Sequence, residues 1–251
     1  MSPTDRASLA IVAAALLSMA VFAVLSHGRP GDVEVAGRRT TAILGRWVRD
    51  WFMWTIAPVQ ALLLALRVHP VWLNVAGALS GLAAGVAYAR GELALGGWLV
   101  VAGGMCDVLD GRIARARNLV SKQGAFLDST LDRFAETFAY IGLALYFAGS
   151  PWTSLATVAA LGGSLLVSYT RARGEAHGVD YSGGVMARAE RLVLLIVASL
   201  LDGAVSTAAG WNPGTLLAVA LALIGAGSLG TAVWRTAVVA RVLGRSRPPG
   251  A

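Results

Sequence analysis

Residues Asp107 to Asp132 read DVLDGRIARARNLVSKQGAFLDSTLD, a stretch that sets four aspartates inside an otherwise apolar chain. Asp107 and Asp110 stand three apart, and Asp128 and Asp132 four apart. Both spacings stack a pair of carboxylates on one face of an α-helix. Long apolar runs flank the stretch on either side, which places the acids at the ends of membrane helices. A carboxylate within a membrane helix costs about 2.5–3.5 kcal/mol on an insertion scale. Four of them require cations, and a polyanionic substrate with divalent metals is the natural partner.

The rest of the chain agrees with a membrane setting. Its 251 residues are 56% hydrophobic and 14% charged, with a mean hydropathy of +0.65. A soluble domain carries about 25% charged residues. A crossing takes about 20 apolar residues, so six or seven crossings use most of the chain and leave no separate soluble domain. In a soluble protein the net charge of +7 would suggest nucleic acid. Here the basic residues gather in the loops of one side, so no nucleic-acid partner is expected. The single Cys106 excludes an intrachain disulfide and reads as a small buried hydrophobe.

Along the chain, the apolar run Ala7 to Leu25 is preceded by Asp5 and Arg6 and followed by Arg38, Arg39, Arg46 and Arg49. This asymmetry predicts an uncleaved transmembrane anchor with its N-terminus outside. A polar linker closes this unit, residues 1–37. The membrane domain spans 38–240 and opens with an interfacial amphipathic helix over 38–69, rich in tryptophan (Trp47, Trp51, Trp54). Six core transmembrane helices follow, at about Val71–Tyr88, Leu93–Ala114, Gly124–Ala148, Trp152–Arg173, Arg188–Leu201 and Pro213–Arg235. The fold class is therefore all-α, a polytopic membrane helix bundle. Gly77, Gly81, Gly85, Gly96 and Gly97 read as close-packing positions. A basic tail, 241–251, completes the chain and could touch anionic lipid.

The loops alternate in charge. One side holds Arg112, Arg115, Arg117 and Lys122, then Arg171, Arg173, Arg188 and Arg191, then Arg235, Arg241, Arg245 and Arg247. The other side holds Arg90, Glu92 and Asp202. The positive-inside rule puts the basic side, and the aspartates with it, in the cytoplasm of a cell (inner) membrane.

All four aspartates can converge just inside that boundary. Hard oxygen ligands at this density suit Mg²⁺ or Mn²⁺, and the scattered His27, His69 and His177 offer no zinc set. Two ions held by acids are a standard solution for phosphoryl transfer, with a remaining carboxylate available to deprotonate an attacking hydroxyl. Gly111 and Ala114 leave room for a ligand, and Arg115 can meet phosphate with two donors. Helix-pairing salt bridges are the plain alternative, but they do not explain four converging acids with small residues between them.

Asp107, Asp110, Gly111, Ala114, Arg115, Gly124, Asp128 and Asp132 fit the pattern D-x2-D-G-x2-A-R-x8-G-x3-D-x3-D at every fixed position. In this the chain, from about Arg46 to Arg235, resembles the CDP-alcohol phosphotransferases (CDP-alcohol phosphatidyltransferases). The resemblance implies six core helices and a pair of divalent ions on Asp107, Asp110, Asp128 and, in part, Asp132. It implies that Asp132 is the catalytic base, and that Gly111, Ala114, Arg115 and Gly124 lie along the CDP moiety. It also implies CDP-diacylglycerol as donor, CMP as product, membrane lipids as surroundings, and an assembly that in related proteins is often a homodimer. One departure stands out. Family members commonly carry Pro-Asn-x-x-Thr entering the first core helix, where this chain has Pro70-Val71-Trp72-Leu73-Asn74, so no ligand role passes to Val71.

The acceptor is addressed by Ser168 to Arg191, which brings Arg171, Arg173, Arg188 and Arg191, with Lys122, toward the same membrane face. Such a cluster can clamp a phosphorylated acceptor, or it can report topology and surface pairing with Glu175 and Glu190. Its wording is similar to phosphatidylinositol-phosphate synthases, which points to an inositol phosphate. Glycerol 3-phosphate or another polar alcohol is the alternative within the same chemistry. A cation transporter would need polar residues through the bilayer depth, and a silent scaffold would not need intact aspartates.

Overall fold

The computed structural model describes residues 3–26 and 45–245, and within them every regular element is an α-helix. In chain order these are α1 (Pro3–Leu25), α2 (Arg46–Ala65), α3 (Pro70–Ala89), α4 (Leu93–Ala116), α5 (Lys122–Tyr146), α6 (Pro151–Ala176), α7 (Arg188–Ala209) and α8 (Thr215–Arg245). A helix stands at the position of the expected anchor, of the interfacial helix and of each of the six core helices; the second covers 46–65 of the 38–69 expected, and 38–44 lie outside the described residues. The linker at 28–37 and the tail beyond 245 lie outside the described residues.

Six of the helices, α1, α3, α4, α6, α7 and α8, are long and apolar enough to cross a membrane. The core helix α5 falls short of that measure because its first half carries Lys122, Asp128, Asp132, Arg133 and Glu136. It nevertheless lies in the bundle alongside α3. Gly81 abuts Ala135, and Gly85 abuts both Phe138 and Gly142, so the two helices run parallel and cover the same depth. A Cβ on Gly85 would overlap the Phe138 carbonyl, and one on Gly142 would overlap the Gly85 backbone. The close approach exists because those positions lack side chains. Gly77, Gly96 and Gly97 also meet neighbouring helices, through Cys106, Tyr88 and Ser199 respectively.

The main core gathers Tyr88, Tyr140, Leu143, Leu195, Leu217, Leu221 and Ile224 from four helices, α3, α5, α7 and α8. Within it the buried Tyr88 hydroxyl bonds Ser199 Oγ at 2.8 Å, tying α3 to α7. A smaller cluster seats α2 on the site helices: Ile56 packs with Leu73, Leu109 and Ile113. Arg112 of α4 reinforces this seat by donating to Gln60 Oε1 at 2.7 Å.

The C-terminal ends of α7 and α8 lie well beyond the expected positions. The α7 helix was expected to stop at Leu201, with Asp202 in a loop. It continues to Ala209 and ends on Gly210, which adopts the left-handed conformation at φ 68°. Asp202 is fully buried and accepts from the backbone N–H groups of Gly214 (2.6 Å) and Leu217 (3.2 Å). It caps α8 from a neighbouring helix, a favourable place for a carboxylate. Likewise α8 runs to Arg245, so the segment expected to begin the tail at Arg241 is helical.

The extra helix α1 lies against α7 and α4. Asp5 neighbours Gly203, Ser8 Oγ accepts from Trp98 Nε1 at 2.9 Å, and Ser18 Oγ accepts from Trp51 Nε1 at 3.0 Å. Phe22 then packs on the rings of Trp47 and Trp54. Its start lies at the end of the bundle away from the aspartates, and its C-terminal end reaches α2.

Candidate active site

The last three turns of α4 carry Asp107 and Asp110, and the first three turns of α5 carry Asp128 and Asp132. The connection is pinned at both ends. Asn118 takes a positive φ of 54° after α4, and Ser121 caps α5 by accepting from Gly124 N at 3.0 Å. The turn thereby sets the two acidic helix ends side by side. Asp107, Asp128 and Asp132 each offer a carboxylate oxygen within 4.8 Å of the others. Asp110 is 4% exposed and its carboxylate neighbours that of Asp128.

Charges this close repel one another. At 4.8 Å and an effective dielectric of about 20, each pair of ionised groups repels by about 3.5 kcal/mol. Cations offset this, and the protein supplies one of them. Arg188, the first residue of α7, donates to Asp107 Oδ2 at 2.9 Å and reaches Asp132 Oδ1 at 2.6 Å. Salt-bridge pairing is thus partly realised, for two of the four acids. Asp110 Oδ2 and Asp128 Oδ1 are different: both are buried without a hydrogen-bond partner among the described residues. Buried oxygens of this kind carry a full desolvation cost. A donor set made only of carboxylates, with such oxygens inside it, fits Mg²⁺ or Mn²⁺.

The acids form a wall between two cavities. One, of about 510 Å³, is lined by Asp110 and Asp128 together with Gly111, Ala114, Arg115 and Gly124. The four residues expected along CDP therefore share one chamber, of a size typical for ligand sites. Gly111 lets the Arg115 guanidinium lie 3.2 Å from where a Cβ would stand. Val71 and Asn74 line the same chamber. The other cavity is bounded by Asp107, Asp132, Glu136, Arg188 and Arg191 and reaches inward to Tyr140 and Leu195. It is narrow, about 60 Å³, room for a few waters.

The expected acceptor residues are not all brought together. Arg188 and Arg191 face the second cavity. Arg191 is 2% exposed and donates through Nε and Nη2 to Glu136 Oε1 at 3.3 and 3.2 Å. Arg171 is exposed and pairs with Glu175 at 2.7 Å, one turn along α6. Arg173 is exposed on α6, and Lys122 is exposed at the start of α5.

The structure adds residues that sequence reading missed. Glu136 continues the Asp128–Asp132 ladder by one more turn. It accepts from Arg191, from Arg133 Nη1 at 2.9 Å and from Ser164 Oγ. Arg133 Nη1 also reaches Ser168 Oγ at 2.6 Å, and its Nη2 lies 4.0 Å from Asp132 Oδ2. Arg235 donates to the carbonyls of Val167, Ser182 and Gly183, and so holds the segment leading into α7. The helical spacing from Asp132 to Glu136 was the signal available for Glu136.

Known proteins resemble this chain in sequence and in fold. The phosphatidylinositol phosphate synthase of Streptomyces avermitilis is 36% identical over 227 residues, 87% of this chain and 89% of that protein. The crystal structure of Mycobacterium tuberculosis phosphatidylinositol phosphate synthase with CDP-DAG bound has a TM-score of 0.64 and 29% identity, covering 72% of this chain and 92% of that one. The same enzyme in complex with manganese and citrate has a TM-score of 0.65 and 28% identity, covering 72% and 87%. The family model for CDP-alcohol phosphatidyltransferase matches residues 67–226, from the turn before α3 into α8. Those residues contain all four aspartates and both cavities, and the protein belongs to the CDP-alcohol phosphatidyltransferase family of membrane enzymes.

Proposed function

We propose that the protein transfers a phosphatidyl group from CDP-diacylglycerol to an inositol phosphate and releases CMP, as a phosphatidylinositol-phosphate synthase. The observation that carries this reading is the aspartate wall with a nucleotide-sized chamber on one side and an arginine-lined cavity on the other. The identity to named inositol phosphate synthases supports the choice of acceptor.

In this scheme Asp107, Asp110, Asp128 and, in part, Asp132 hold two divalent ions. When bound, the ions supply charge neutralisation for the diphosphate and for the phosphate of departing CMP. Gly111, Ala114, Arg115 and Gly124 seat the CDP moiety, while the acyl chains stay in the bilayer between helices. The acceptor hydroxyl attacks the β-phosphorus, the one bearing the lipid. The bond from that phosphorus to the bridging oxygen breaks, its electron pair leaves with CMP, and the hydroxyl proton passes to Asp132. Arg191, on the second cavity, supplies positive charge to the acceptor's phosphate. The site faces the cytoplasm, the side of the arginine-rich loops.

One assay tests this reading. Purified protein with CDP-diacylglycerol and Mg²⁺ or Mn²⁺ is offered radiolabelled inositol phosphate, inositol, glycerol 3-phosphate and serine, and CMP release is scored. Release with inositol phosphate well above the others is expected. Preference for glycerol 3-phosphate would keep the chemistry and overturn the acceptor.

A further inference from the structure

We propose that Arg188 is the resident counter-cation of the Asp107–Asp132 half of the site and competes there with a divalent ion, so that the two ions bind in order. The inference rests on the two-metal reading above and assigns Arg188 a role apart from acceptor binding.

The two halves of the site differ. On the Asp107–Asp132 half, the guanidinium bonds one oxygen of each carboxylate and already supplies a positive charge. On the Asp110–Asp128 half, buried oxygens lack a protein partner among the described residues. An ion entering the Asp110–Asp128 half gains buried oxygens that accept no hydrogen bond among the described residues. An ion entering the first half must displace a two-pronged, charge-assisted pair. The first ion therefore belongs to Asp110 and Asp128, and the second follows only as Arg188 lets go.

Arg188 is placed to do so. It is the first residue of α7, 31% exposed, at the end of an irregular segment that contains Gly184 at φ 135°. A third acid, Glu136, lies close enough to act on the same guanidinium. Arg188 also bounds the narrow second cavity. Its release would widen that cavity on the side where the acceptor is expected, which couples full metal loading to acceptor entry.

The test is Mn²⁺ binding to the full-length protein in nanodiscs without substrate, followed by electron paramagnetic resonance of the free ion. Wild type should show a tight and a weak class separated by about tenfold or more, about 1.4 kcal/mol. In R188Q the weak class should tighten about tenfold while the tight class keeps its affinity. An unchanged or weakened second class would overturn the proposal. D132N should lose the weak class and keep the tight one, and the reverse loss would equally overturn it. R188K keeps one charge without the fork, and serves if R188Q does not fold. Its weak class should tighten by a smaller factor, and unchanged affinity counts against the idea. Absence of any manganese binding to wild type would instead remove the two-metal reading itself, and the inference with it.

Discussion

At the scale of single residues, the site is a set of carboxylates sorted by their partners. Asp132 shares Arg188 with Asp107 and has Arg133 on its other oxygen. Replacing it by Asn keeps the shape and removes the proton acceptor. Asp132→Asn should lower kcat by about 10²–10⁴-fold while leaving CDP-diacylglycerol binding largely intact, measured by CMP release beside a binding assay. Near-wild-type turnover would remove the base assignment. Glu136 is a positioning residue for Arg191 and Arg133. In Glu136→Gln, Arg191 stays buried without its counter-ion, a loss of about 3 kcal/mol. The thermal unfolding midpoint should fall, and the acceptor KM should rise far more than the donor KM. Equal change in both constants would make Glu136 a purely structural residue. The four aspartates were legible because their spacing is local and their chemistry is costly in a membrane. Glu136 stands on the same helical face, but Arg191 and Ser164 reach it from 55 and 28 residues away, and nothing local announces that meeting.

At the scale of elements, apolar length and charge alternation were enough to place the helices, and their ends were harder to read. Asp202 looked like a loop residue because an acid at the rim of a bilayer usually faces water. Its capping of α8 reverses that expectation and extends α7 by two turns. The glycines were readable as packing positions, whereas their partners were not. The α3–α5 contact depends on Gly85 meeting Phe138 and Gly142. Gly85→Leu should separate the two helices at a cost above the usual 1–3 kcal/mol or so for overpacking. Size-exclusion chromatography of the solubilised protein should show loss of the monodisperse peak. A normal profile with normal activity would contradict the packing described for α3 and α5.

At the scale of the whole molecule, every ingredient of the chemistry lies at one end of the bundle. The opposite end holds the Asp202 cap and the start of α1. Removing divalent ions with EDTA should stop CMP release, and added Mn²⁺ or Mg²⁺ should restore it. Activity that survives chelation would contradict the metal scheme. Sealed inverted membrane vesicles should accept externally added inositol phosphate, and sealed right-side-out vesicles should not. The opposite pattern would reverse the assigned orientation. The α5 helix also bears on how the protein is made. It is the core helix whose acids and arginines have displaced hydrophobicity, so a translocon weighing each segment alone has least reason to release it into lipid. The parallel α3, with its glycine seam, is synthesised first and offers α5 a protein surface in place of acyl chains. On this account α5 enters the bilayer as α3's partner, and substitutions along that seam are expected to lower the amount of membrane-integrated protein, read by carbonate extraction, before they lower turnover per molecule.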